Sequence, residues 1–277
     1  MTPDQYCQQK AAASGSSFYY SFLFLPSERR RAITALYAFC REVDDVVDET
    51  GEMQIAAAKL AWWRSEVANL DAGNPQHPVT KALGVYKERF SIDAKRLNDI
   101  IDGMEMDLTQ TRYLDWPGLE RYCYRVAGVV GLLAAGIFGY RDPRTLEYAR
   151  DLGIAFQLTN IIRDVGEDAR KNRIYLPAAD LKQFGVPAAD ILQTRETPEF
   201  NRLMAFEAAR ARSHYEKAMQ ALPAADRKAQ RPGLIMAAIY RTLLEEIERD
   251  GFRVLTGRTS LTPLRKFWLA WKTWVTA

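Results

Sequence analysis

The stretch Ile154-Ala155-Phe156-Gln157-Leu158-Thr159-Asn160-Ile161-Ile162-Arg163-Asp164 carries apolar side chains on nearly every side of a helical wheel, which predicts a helix enclosed by core. Its polar members then need a reason to be there, because an unpaired buried amide or carboxylate is costly. Gln157, Asn160, Asp164 and Asp168 fall at steps of three and four residues, so they share one stripe of that helix. A solvated stripe would carry Lys and Glu instead of Gln and Asn among Phe156, Leu158, Ile161 and Ile162. The pattern points to a polar line facing an internal space.

A second acidic run lies far upstream, Asp44-Asp45-Val46-Val47-Asp48, and repeats the one-turn spacing of Asp164-Val165-Gly166-Glu167-Asp168. Carboxylates four apart project from one side of a helix and repel each other, so each pair calls for a cation. The first run also falls near a helix C-terminus, where acidic groups oppose the macrodipole. Mg2+ suits such donors, because it takes carboxylate oxygens, keeps several waters and is completed by substrate phosphates. Two such rows facing each other would hold a diphosphate between them.

Working outward, the periodicity is helical in nearly every segment and no window alternates as a strand does. The expected fold is all-α, a helical bundle of one domain spanning 1–277 around a central apolar cavity. Ser27 is the expected N-cap of a helix running to Gly51, followed by helices at 52–71, 78–90 and 93–112. Asp115-Trp116-Pro117 caps another, rich in glycine at Gly128, Gly131 and Gly136, and Asp142-Pro143 starts the helix of the second acidic run. Beyond the Asn172–Pro177 loop, Pro187, Pro198, Pro223 and Pro232 divide the remainder into two long helices and shorter connectors.

Composition narrows the chemistry. Hydrophobic residues at 48% and charged residues at 26% supply a core with room for a pocket, and a net charge of +3 with dispersed arginines argues against nucleic acid. Cys7, Cys40 and Cys123 form no CxxC pair and read as reduced thiols. The start Met1-Thr2-Pro3-Asp4 lacks the basic, apolar character of a secretory signal, so the expected location is the cytoplasm. The apolar run Val126–Tyr140 is too short for a membrane span and reads as a buried helix. With only His77 and His214, one in a Pro-rich loop and one in a polar helix, a His-based triad or metal site is disfavoured. No GxxxxGK[ST] loop or strand-borne GxGxxG unit occurs.

Arg163, Arg170, Lys171 and Arg173 surround the second run and are suited to phosphate recognition or to ordinary surface ion pairs. Ser14, Ser16 and Ser17 precede Phe18-Tyr19-Tyr20-Ser21-Phe22, a segment fit either to cover a phosphate pocket or to cap a helix. The last helix aligns Leu264, Phe267, Trp268, Trp271, Trp274 and Val275 beside Arg265, Lys266 and Lys272. Such a face either rests on a membrane surface or docks on its own domain.

Taken in order, Tyr37-Ala38-Phe39-Cys40-Arg41-Glu42-Val43-Asp44-Asp45-Val46-Val47-Asp48, Tyr122-Cys123-Tyr124-Arg125-Val126-Ala127-Gly128-Val129-Val130-Gly131, Gln157 to Asp168 and Arg173-Ile174-Tyr175-Leu176-Pro177 resemble the squalene/phytoene synthase family of head-to-head prenyl transferases. The resemblance spans essentially the whole chain. It implies the isoprenoid synthase helical bundle, with Mg2+ and substrate diphosphates on Asp44, Asp48, Asn160, Asp164 and Asp168. It further implies diphosphate or active-site roles for Arg41, Asp45, Gln157, Arg163, Arg173 and Tyr175, catalytic participation of Tyr124 and Arg163, and Ser17, Phe18, Tyr37 and Tyr240 as substrate-pocket residues. The run Ser14–Phe22 is most similar to bacterial presqualene diphosphate synthases of hopanoid pathways. That likeness implies two molecules of farnesyl diphosphate as substrate and downstream hopanoid-pathway enzymes as partners, with phytoene, dehydrosqualene or squalene synthesis and a non-catalytic membrane-surface scaffold as alternatives.

Overall fold

The computed structural model describes residues 1–13, 21–22, 24–49 and 52–277, and these are 76% helical with no strand. The helices are α1 (Pro3–Ala13), α2 (Ser27–Glu49), α3 (Met53–Asp71), α4 (Pro78–Phe90), α5 (Ala94–Thr109), α6 (Trp116–Cys123) and α7 (Val129–Phe138). They continue with α8 (Arg144–Arg170), α9 (Ala178–Phe184), α10 (Ala188–Leu192), α11 (Pro198–Ala221), α12 (Arg231–Arg249) and α13 (Pro263–Thr276). A π-helical turn, Tyr124–Gly128, joins α6 to α7.

Local sequence explains most boundaries. Asp93, Asp115, Thr197 and Thr262 accept backbone N–H bonds at the starts of α5, α6, α11 and α13, satisfying donors that a first turn leaves free. His77 caps α4 in the same way, its ring accepting from Val79 N with Pro78 at the first position. Three expectations shift. Ser27 is the first residue of α2 rather than its cap, and Pro26 O accepts from Arg30 N. The helix expected at 93–112 ends at Thr109, where Gln110 turns extended. Helix α1 was not expected, because its apolar residues follow no clear stripe.

Two hydrophobic cores form, one around α8, α11 and α12 and one around α2, α3, α4 and α5, and Tyr124 and Val126 pack against both. Between them α7 approaches α8 so closely that Cβ atoms would collide with backbone. One on Gly131 would sit 2.3 Å from Ala149 O, and one on Gly153 would sit 2.4 Å from Ala127 O. The continuous helical stretch Trp116–Phe138 is long and apolar enough to cross a membrane by length and composition alone. It lies inside the fold instead, with part of its surface lining the cavity between the cores.

Candidate active site

The cavity takes its walls from α2 (Leu36, Tyr37, Cys40), the π turn and α7 (Val126, Val130, Ala134), and α8 with α12. Gln157 and Asn160 stand at one end, with Tyr240 from α12 beside Phe156, ring centroids 4.9 Å apart. The Gln157–Asn160 part of the predicted polar stripe of α8 therefore faces the cavity, as burial of its flanks by Leu158, Ile161 and Ile162 requires. The Oδ1 of Asn160 is buried without a hydrogen-bond partner. An amide oxygen left so is expensive unless a ligand meets it.

Beyond that end, cations that follow the second acidic row reach the first. Lys171 Nζ and Arg173 Nη1, from the loop after α8, each lie 3.5 Å from Asp48 Oδ1 on α2. Residues more than a hundred positions apart thus share one mouth. On α2, Arg41 reaches Asp44 Oδ2 and Asp45 Oδ1, both at 2.5 Å. Burial pushes the Asp44 carboxyl up to about 6, against Arg41 and with Asp48 adding. Burial and then Asp164 push Asp168 up to about 7. Burial would lift Asp164 too, but the Arg163 and Arg258 guanidiniums overcome it and hold that carboxyl below its ordinary range.

Some predicted residues sit elsewhere. Asp45 turns toward α1, where Lys10 Nζ lies 2.7 Å away, and Tyr6 in turn donates to Glu42 at 2.7 Å. Tyr175 lies beneath the mouth, its hydroxyl donating to Asp107 Oδ1 at 2.8 Å while Tyr122 donates to Oδ2 at 2.9 Å. Burial lifts Asp107 to about 6 despite those two bonds. Tyr124 is half-buried between the cores and is not among the cavity-lining residues. Its neighbour Arg125 points to α5, toward Met106 and Asp102. Arg170 is exposed, and His214, read as lying in a polar helix, is buried against Asp151. Ser17 and Phe18, with Ser14 and Ser16, lie outside the described residues.

Sequence reasoning missed Arg258, whose Nε lies 2.9 Å from both Asp164 Oδ1 and Glu167 Oε2. It comes from the connector between α12 and α13, which has no periodicity to mark it. Lys10 and Asp107 were missed because each lies outside the two acidic runs and only helix packing brings it to them. Tyr122 stood inside the quoted motif, one helical position pair before Tyr124.

The arrangement offers hard oxygen donors and several guanidiniums at the mouth of an apolar channel. The squalene/phytoene synthase family model matches residues 11–265. Phytoene synthase from Arthrospira platensis is 36% identical, the match covering 94% of this chain and 88% of that protein. The 15-cis-phytoene synthase of Synechococcus elongatus matches with the same identity and coverage. Among solved structures, a dehydrosqualene synthase in complex with ligand superposes with a TM-score of 0.88 at 29% identity, covering 99% of this chain and 96% of that one. The squalene synthase HpnC from Alicyclobacillus acidocaldarius superposes with 0.82 at 29%, covering 90% and 94%. The chain belongs to the squalene/phytoene synthase family and has the helical isoprenoid synthase fold. It is accordingly a prenyltransferase-like isoprenoid synthase acting on prenyl diphosphates, a family that uses divalent metal to bind them.

Proposed function

We propose that this chain, acting as a single domain, joins two farnesyl diphosphates head to head into presqualene diphosphate and releases one diphosphate. The observation that carries the reading is the approach of Lys171 and Arg173, which follow the second acidic row, to Asp48 of the first, at one end of an apolar cavity. The donors fit Mg2+: four carboxylates, Asp44, Asp48, Asp164 and Asp168, and the unpartnered Asn160 Oδ1. Among the described residues no three Asp, Glu, His or Cys side chains already converge on one point, so phosphate oxygens and water would complete any shell. When bound, Mg2+ supplies Lewis-acid neutralisation of diphosphate charge.

The protein's own groups complete the chemistry. Arg41, Arg163, Arg173 and Arg258 place cationic donors around the leaving diphosphate, which departs from C1 of one chain with the bonding electrons. The C2=C3 double bond of the second chain attacks that C1, leaving positive charge on its own C3. Loss of a proton from C1 then closes the cyclopropane. Val126, Val130, Ala134 and Leu36 keep water from the cation, while the rings of Tyr37, Phe156 and Tyr240 present electron-rich faces along its path.

The curated phytoene synthases at 36% identity favour a second reading, the same condensation on geranylgeranyl diphosphate. Incubation with each diphosphate, with and without NADPH, followed by mass analysis separates them. A C30 cyclopropyl diphosphate formed without NADPH supports the proposal, and C40 products alone refute it. Asp44→Ala and Asp164→Ala should each abolish diphosphate release while the protein still melts cooperatively.

The same reading places the enzyme in the cytoplasm at the inner membrane face, delivering product to hopanoid-pathway enzymes. Its support is α13, where Leu264, Phe267, Trp268, Trp271 and Val275 are exposed while Trp274 turns inward to stack on Phe24. Lys272 flanks the exposed face, as in a helix lying in an anionic interface, whereas Lys266 is half-buried on the opposite side toward Arg163 and Arg258. Trp268→Ala with Trp271→Ala should abolish co-sedimentation with anionic vesicles; unchanged sedimentation would remove this part of the reading.

A further inference from the structure

A series of polar contacts runs from α1 to the first acidic row. Tyr6 and Lys10 are four residues apart and share one face of α1, while Glu42 and Asp45, three apart, share the side of α2 that meets it. The Tyr6 hydroxyl donates to Glu42 Oε1 at 2.7 Å, and Lys10 Nζ lies 3.2 Å from that same oxygen and 2.7 Å from Asp45 Oδ2. The other oxygen of Asp45, Oδ1, lies 2.5 Å from Arg41 Nη2, and Arg41 Nη1 lies 2.5 Å from Asp44 Oδ2.

The series is covered. The Lys10, Glu42 and Asp45 side chains are 26%, 15% and 16% exposed, so these pairs are less screened than fully exposed ones, which contribute little. Burial would lower the Lys10 ammonium, but Asp45 and Glu42 overcome it and hold that group above its ordinary range, so it stays charged. The Tyr6 ring meets His77 edge-on with centroids 5.4 Å apart, which fixes the α1 end of the series. The match to the family begins at residue 11, so Tyr6 and Lys10 both lie outside it.

The geometry of guanidinium–carboxylate pairs gives Lys10 its consequence. Arg41 and Asp45 are four residues apart on one helix, and such a pair closes readily in a two-pronged form, each carboxylate oxygen accepting from a different guanidinium nitrogen. That form would occupy both Arg41 nitrogens and turn the guanidinium away from the mouth. With Lys10 on Oδ2, Asp45 meets Arg41 through Oδ1 alone, and Nη1 stays directed at Asp44, where a diphosphate oxygen can take its place. We infer that Lys10 is a positioning residue for diphosphate recognition, holding one oxygen of Asp45 so that half of the Arg41 guanidinium remains available to the phosphate group. The inference rests on the prenyl diphosphate reading above.

The test uses wild type, Lys10→Met, Lys10→Arg, Asp45→Asn and the double variant Lys10→Met with Asp45→Asn. Steady-state kinetics are measured on the prenyl diphosphate that wild type turns over, together with calorimetric binding of inorganic diphosphate in the presence of Mg2+ and the melting temperature. Lys10→Met should raise KM and the diphosphate dissociation constant about tenfold, the lower end for one charge-assisted contact, with kcat within about twofold of wild type. Lys10→Arg keeps the cation and should restore both constants. An Asn at 45 has one acceptor oxygen and cannot form the two-pronged pair, so adding Lys10→Met to Asp45→Asn should change neither constant further. A role confined to docking α1 would lower the melting temperature without this split between KM and kcat. Unmoved KM and diphosphate binding in a folded Lys10→Met protein, or an equal loss on the Asp45→Asn background, overturns the inference. Should Lys10→Met fail to fold, Lys10→Gln carries the same expectation and the same refutation. Unmoved Lys10 variants beside a wild type that binds and releases diphosphate sink the role of Lys10 alone, whereas a wild type that does neither sinks it together with the proposed function.

Discussion

Replacing Gly166 by Ala should damage both stability and the metal end of the site, because this glycine lies where the connector after α12 crosses the second acidic row. A Cβ at 166 would stand 2.2 Å from Leu255 O, 2.6 Å from Val254 O and 2.7 Å from the Leu255 carbonyl carbon. All three are backbone atoms, so no rotamer change relieves the overlap, and the connector must retreat until the closest approach is at least 3.4 Å. That retreat strains the bond from Gly166 N to Val254 O, now 3.1 Å. Overpacking of this kind costs about 1–3 kcal/mol and a weakened hydrogen bond about 1 kcal/mol more, so about 3 kcal/mol is expected. An unfolding entropy of about 2 cal/mol/K per residue converts this into a melting temperature lower by about 5 °C. Arg258, four residues after Val254, moves with the connector and loosens its grip on Asp164 and Glu167, so diphosphate release should fall more than tenfold at temperatures where the variant is folded. Gly257→Ala is the control on the same connector, since its added carbon would meet nothing closer than Arg253 O at 3.4 Å. The assay pairs calorimetric melting with Mg2+-dependent diphosphate release. A Gly166→Ala protein melting within a degree of wild type would refute the packing argument.

Other expectations follow from single side chains. Arg258→Ala should lower kcat/KM about tenfold to a hundredfold, the worth of one charge-assisted contact, with little change in melting temperature because Arg258 is half exposed; steady-state kinetics with unchanged kcat/KM would remove Arg258 from the site. Glu207, buried on α11 against Arg210, has its carboxyl pushed by burial up to about 7, with Arg210 opposing and Asp180 adding. The folded state therefore holds this proton more tightly than the unfolded state, so stability falls as pH rises from about 4.5 through about 7 and levels off above. Glu207→Gln should flatten that decline by about 2 kcal/mol, read from unfolding midpoints between pH 5 and pH 8, and an unaltered slope would show that Glu207 does not titrate there.

Much of this protein can be read without coordinates. The apolar flanks of Gln157, Asn160, Asp164 and Asp168 require that stripe to face an internal space, because burial of amides and carboxylates against hydrocarbon is too costly otherwise. The one-turn spacing of Asp44 with Asp48 places each pair on one helix face for geometric reasons that hold in any fold. Helix starts were similarly legible at Asp93 and Asp115, since capping is a contact between near neighbours in sequence. Non-local contacts were not legible. That Asp48 meets Arg173, that Asp45 faces Lys10, that Tyr175 and Tyr122 share Asp107, and that Arg258 reaches Asp164 all depend on how helices pack. Local periodicity determines which faces are polar, whereas the side chains that meet across a cavity are decided by packing between elements far apart along the chain.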